Sequence, residues 1–132
     1  MDTPATRLLD PSALPKFLAH ANSGGVKAAL LCNRDGAVLS FVGDRQGHKF
    51  AAAIAANMWT CYEANALGAV GANELGCLLL ECEEGQLAVV QVSSALLLGM
   101  VADCTVPLGL LKAKITALQQ QMLAEEIDTL FQ

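Results

Sequence analysis

The chain has 132 residues, enough for one domain with a real hydrophobic core. Hydrophobic residues make up 54 % and charged residues 16 %, against about a quarter charged in ordinary soluble domains, so much of the surface is expected to be covered. A net charge of −5 with only eight Lys and Arg leaves no basic stripe for phosphates, which argues against nucleic-acid binding.

A membrane span requires roughly 20 consecutive apolar residues. The longest run here, Ala95–Ala102, has eight. Met1-Asp2-Thr3-Pro4 does not read as a signal peptide, Asp2 stands where myristoylation needs glycine, and no prenylation box closes the chain. Membrane association is therefore expected only through partners.

Residues 1–10 read as a flexible leader and 11–132 as a single domain. A helix opens near Pro11 or Ser12, carries Leu14, Phe17, Leu18 and Ala21 on one side, and ends at Asn22-Ser23-Gly24-Gly25. Val26–Asn33 and Ala37–Val42 read as strands joined by a hairpin at Arg34-Asp35-Gly36, where Asp-Gly favours positive φ.

The segment 46–67 reads as a helix that is apolar on two sides. At about 100° per residue from Phe50, Ile54, Asn57, Met58 and Cys61 fall within roughly 80° of it. Trp59 falls opposite, with Ala52, Ala55 and Ala66 beside it. Lys49, Thr60 and Glu63 form a narrow polar arc. A helix with two apolar sides is covered twice, and in a short chain the second cover is expected to be another subunit. Bulk assigns Phe50, Ile54, Met58 and Cys61 to the core. The Trp59 side then faces the partner, because Trp is enriched at binding hot spots and small alanines permit close approach.

Gly68–Asn73 reads as a loop. Leu75–Glu83 and Gln86–Ser93 form a second hairpin around Glu84-Gly85, Ala95–Ala102 is a fifth strand, and a last helix runs from Pro107 to about Leu130. Leu108, Leu111, Ile115, Leu118 and Met122 give that helix a single apolar stripe, better suited to packing on a sheet than to a short coiled coil. Runs such as Ala28–Cys32, Leu78–Leu80 and Leu96–Leu98 are apolar on both strand faces, so the sheet needs covering on both. The order α-β-β-α-β-β-β-α, with two hairpins, predicts a five-stranded, mostly antiparallel α+β sheet flanked by helices.

No catalytic set emerges. His20 and His48 are isolated, Ser93-Ser94 lacks a nucleophile elbow, and the glycines match no phosphate-binding fingerprint. Five cysteines without a secretion signal read as free thiols, most simply buried ones. Cys77 and Cys82, at an odd offset on one strand, fall on opposite faces and cannot jointly hold a metal unless the strand bulges. No cofactor or metal is expected, and no enzyme.

An ordered set of short motifs carries a family likeness: Ala21-Asn22-x-Gly24-Gly25-Val26, Leu30-Leu31-x-Asn33-x-x-Gly36, Ala52-Ala53-Ile54-Ala55-x-Asn57-x-Trp59-x-x-Tyr62, Glu84-Gly85-x-x-Ala88, Leu96-Leu97-Leu98-x-Met100 and Gly109-x-Leu111-Lys112-Ala113-Lys114. Together, over about Leu14 to Met122, they resemble the roadblock family, and within it the scaffold type found in the Ragulator adaptor of late endosomes and lysosomes. The resemblance implies a roadblock/profilin-like fold, with one helix on one face of the sheet and two on the other. It implies a heterodimer with a second roadblock subunit through Gly47–Leu67 and Leu75–Cys82, giving a sheet continuous across both. The expected partner surface is then Ala52, Ala55, Ala56, Trp59, Glu63, Leu78 and Leu80. A lipid-anchored Ragulator subunit would hold the assembly to the lysosome, where it would dock Rag-type GTPases for amino-acid and TOR-complex signalling. A kinase-scaffolding role is also attached to the family. A motor-complex light chain or small-GTPase regulator is the alternative within it. A small-molecule-sensing domain is the alternative outside it.

Overall fold

The computed structural model describes residues 24–43, 48–70, 75–83 and 85–130. The expected leader and the expected helix near Pro11–Asn22 lie outside them. The described elements are β1 (Val26–Asn33), β2 (Val38–Gly43), α1 (His48–Val70), β3 (Leu78–Glu81), β4 (Gln86–Gln91), β5 (Leu96–Ala102) and α2 (Leu108–Leu130). One sheet runs β2-β1-β5-β4-β3, and every neighbouring pair is antiparallel.

The doubly apolar strands sit as their composition demands. Successive side chains on a strand point to opposite faces. Ala29, Leu31, Ala88, Val90, Leu98 and Met100 point to one face, where Leu111, Ile115, Leu118 and Met122 of α2 cover them. Leu30, Cys32, Leu87, Val89 and Leu97 point to the other, beneath α1. The five-stranded sheet between helical layers and the apolar stripe of the last helix are thus as the sequence predicts. Pro107 stands just ahead of α2 and its carbonyl accepts the Leu111 amide at 3.0 Å; lacking an N–H, proline suits this place.

The β1–β2 turn is built by Asn33. Its Oδ1 accepts the amides of Asp35 (2.9 Å) and Ala37 (3.0 Å), an Asx-type turn. Gly36 supplies φ +89°, as the Asp-Gly signal predicts. Two boundaries differ from the expectation. Gly68 is helical, because α1 continues to Val70, where the last turn tolerates glycine. β3 is only four residues long, so Cys77 and Cys82 both flank the strand rather than lie on it.

Candidate functional site

α1 lies on the sheet with its faces reversed from the expectation. Trp59, Ala52 and Ala55 are 0 % exposed and Ala56 is 3 % exposed. They pack against Leu30, Cys32, Val89 and Leu97 in the chain's own core. Phe50 is 77 % exposed, Ile54 47 % and Tyr62 48 %. Asn57 and Cys61 are exposed too, and Met58 is half-buried. The correction has a physical reason. Alanines let the helix axis approach the strands closely, and one indole fills the space they leave; a row of Phe, Ile and Met would hold the helix away. Trp59, Ala52, Ala55 and Ala56 therefore have no surface to offer a partner. The apolar stripe Phe50–Ile54–Met58–Cys61 does.

The sheet's two edges are not alike. β2 carries a register irregularity opposite Leu31 and Cys32, a device that spoils an edge for further pairing. β3 has no such irregularity in its pairing with β4, and it contains neither proline nor lysine. Among the described residues no strand pairs with its outer edge. Leu78 is buried and Leu80 half-buried, and both pack within the α1-side cluster. Of the predicted partner residues, Leu78 and Leu80 thus stand at an open edge, on the sheet face that α1 covers.

Glu63, predicted at the same surface, is engaged within the chain. Arg34 Nη1 donates to Glu63 Oε1 at 2.8 Å and Nη2 to Oε2 at 3.3 Å. Arg34 Nε donates to the Ser94 carbonyl at 2.9 Å. The Trp59 indole N–H donates to Glu63 Oε2 at 3.3 Å. One cation thus joins the β1–β2 turn, the β4–β5 turn and α1. Hydrogen bonding to Arg34 is the main reason the Glu63 carboxyl is held below its usual range, and the same bond raises Arg34. The Trp59–Glu63 spacing of four was legible as a polar handle for a buried indole; Arg34 gave no sequence signal.

The cysteines also divide. Cys32 is buried, and burial pushes its thiol up to about 11; burial raises Cys77 as well. Cys61, Cys82 and Cys104 are exposed, which corrects the expectation of buried thiols throughout. Among the described residues no three His, Cys, Asp or Glu come together as metal ligands. Ser93 Oγ accepts the Ala95 amide at 3.3 Å, a turn contact. A shallow groove of about 340 Å³ lies between Leu75-Gly76, Gln91–Ser94 and Gln119, open to solvent, with the Gln119 amide donating to the Gln91 carbonyl at 2.8 Å. It is not the enclosed cavity that a sensing domain needs. Among the described residues, no helix is long and apolar enough to cross a membrane.

Among the described residues the sheet thus ends in an unbulged strand, and the neighbouring helix α1 exposes Phe50 and Ile54. The Roadblock/LC7 domain family matches residues 17–102, and the chain belongs to this family. It is 30 % identical over 114 residues to a Caenorhabditis elegans protein named Ragulator complex protein LAMTOR2 homolog, with 84 % of this chain and 87 % of that protein covered. In fold it is similar to a Roadblock/LC7 domain from Streptomyces avermitilis (TM-score 0.72, 17 % identity, 81 % of this chain and 92 % of that one). It is likewise similar to the gliding protein MglB of Thermus thermophilus (TM-score 0.73, 19 % identity, 97 % and 94 %).

Proposed function

We propose that this chain is a non-enzymatic scaffold subunit of a Ragulator-like complex. It pairs with a second roadblock-domain subunit through the exposed face of α1 and the open edge of β3. The stripe of exposed Phe50, Ile54 and Cys61, with Met58 half-buried among them, is the observation that carries this reading. The likeness to a protein named for the Ragulator complex supports the choice of assembly. Leu78 and Leu80 belong to this interface by virtue of the strand edge; Phe50, Ile54 and Cys61 replace Trp59 and the alanines as its helical part.

In this reading a lipid-anchored partner holds the assembly on the late endosomal or lysosomal membrane. The assembly then docks Rag-type GTPases in amino-acid and TOR-complex signalling. Affinity purification of the tagged chain, with mass spectrometry of what comes with it, tests the assignment. A second roadblock subunit, a lipidated subunit and Rag-type GTPases are expected. Recovery of motor-complex chains without Rag-type GTPases contradicts it.

A further inference from the structure

We infer that the β1–β2 turn, which takes no part in the proposed pairing surface, sets partner affinity by holding α1 at one height and one tilt on the sheet. The inference rests on the α1–β3 interface proposed above and assigns its positioning residues, Arg34 and Gly36. In the strand order β2-β1-β5-β4-β3 this turn belongs to the half of the sheet away from β3. It nonetheless grips α1 at two points.

The first grip is steric. Gly36 lies so close to α1 that a Cβ built on it falls 3.3 Å from the Ala53 Cα and 3.7 Å from the Ala52 carbonyl oxygen. The helix backbone thus rests against the turn with no turn side chain between them. The second grip is polar. Arg34 reaches the Glu63 carboxylate with two donors and the Ser94 carbonyl with a third. Ala53 and Glu63 are ten residues apart, about 15 Å along a helix. Two points that far apart fix tilt as well as height.

Between those points α1 meets the strands through Ala55, Ala56 and Trp59. Helices lock by fitting side-chain ridges into grooves, and alanines raise only low ridges, so they resist sliding weakly. Phe50 and Ile54 project from the turns of helix that Gly36 supports. A shift of α1 moves both relative to the β3 edge. A partner that must meet the stripe and the edge together then loses complementarity.

Titration calorimetry tests this with the purified roadblock subunit that wild type recovers as probe, at a temperature where circular dichroism shows every variant folded. Arg34→Ala is expected to weaken pairing about tenfold, a size in keeping with coupling through residues that touch no ligand. Arg34→Lys keeps the net charge but not the planar fork, and is expected to weaken pairing too. Gly36→Ala presses on Ala53 without changing any charge and is expected to act in the same direction. A role in stability alone would leave the affinity of a folded chain unchanged. Wild-type affinity in folded Arg34→Ala or Gly36→Ala, or full affinity in Arg34→Lys, overturns the proposal. Phe50→Asp separates this claim from the pairing reading. Loss of pairing in Phe50→Asp beside wild-type affinity in Arg34→Ala removes the positioning role and leaves the interface. Wild-type affinity in Phe50→Asp, or a wild type that recovers no roadblock subunit, removes both.

Discussion

Arg34 and Glu63, 29 positions apart, face one another in two near-parallel contacts of 2.8 and 3.3 Å, and the same carboxylate takes the indole proton of Trp59. The arrangement fastens α1 to two turns at one end of the sheet. It also orients the buried indole that fixes which side of α1 faces inward. The outward face, with its apolar stripe, follows from that choice.

Glu63 links this end of the fold to pH. Its carboxyl is lowered in the folded state, chiefly by the Arg34 hydrogen bond. A lowered carboxylate contributes stability that is fully present above the unfolded value of about 4.3 and is lost as pH falls through the folded value. The pair is about a third exposed, so its worth is modest, ~1 kcal/mol. Arg34→Ala and Glu63→Gln should each lower stability by about that much near neutral pH, with less than additive loss in the double variant. Urea denaturation of wild type and Arg34→Ala at pH 7 and below pH 4 should show the difference shrinking in acid.

Trp59 is a core residue here. Trp59→Ala should destabilise the free chain by about 3–5 kcal/mol, measured by denaturant unfolding without any partner present. A variant that unfolds like wild type would mean that the indole is not packed beneath α1. Trp59→Asp is consequently a poor probe of partner binding, since it attacks the fold first.

Two glycines should respond in opposite directions. Gly43 has φ +103°, and a Cβ there would press into the Lys27 carbonyl oxygen on β1. Gly43→Ala should lose more than about 1 kcal/mol through strain and strand separation. Gly68 lies in the last turns of α1 with open space around it, and Gly68→Ala should gain about 0.5–1 kcal/mol from helix propensity. Thermal melting of both variants decides the matter.

Thiol chemistry reports on the same surface. In the folded chain, Cys61, Cys82 and Cys104 should react readily with a neutral thiol reagent, while Cys32 should react only on unfolding. Complex formation should slow Cys61 and leave Cys104 unchanged, read by mass spectrometry of labelled peptides. Equal labelling of Cys61 with and without partner would place the interface elsewhere.

The strands and the last helix were legible because their patterns are redundant. Leu111, Ile115, Leu118 and Met122 recur at one helical period, and the doubly apolar runs at Leu30-Leu31 and Leu97-Leu98 leave no solvent face. Helix α1 offered no such redundancy. Both of its sides are apolar, and periodicity alone cannot say which is inward. Side-chain bulk pointed to Phe50 and Ile54, whereas close packing on the sheet favoured Ala52, Ala55 and Ala56 around a single Trp59. The deciding contact, Arg34 to Glu63, joins turns and helix far apart in the sequence and leaves no mark on local spacing. The open β3 edge was legible only in part, since a run of three leucines says strand but not edge.

The most direct test of the account is the partner-binding of Phe50→Asp. Phe50 is 77 % exposed in the chain, so the substitution should leave its melting temperature within a few degrees of wild type, a change of about 0.5 kcal/mol or less. A folded chain that no longer recovers the second roadblock subunit in an affinity purification is expected. A folded Phe50→Asp chain that recovers that subunit as wild type does would contradict it.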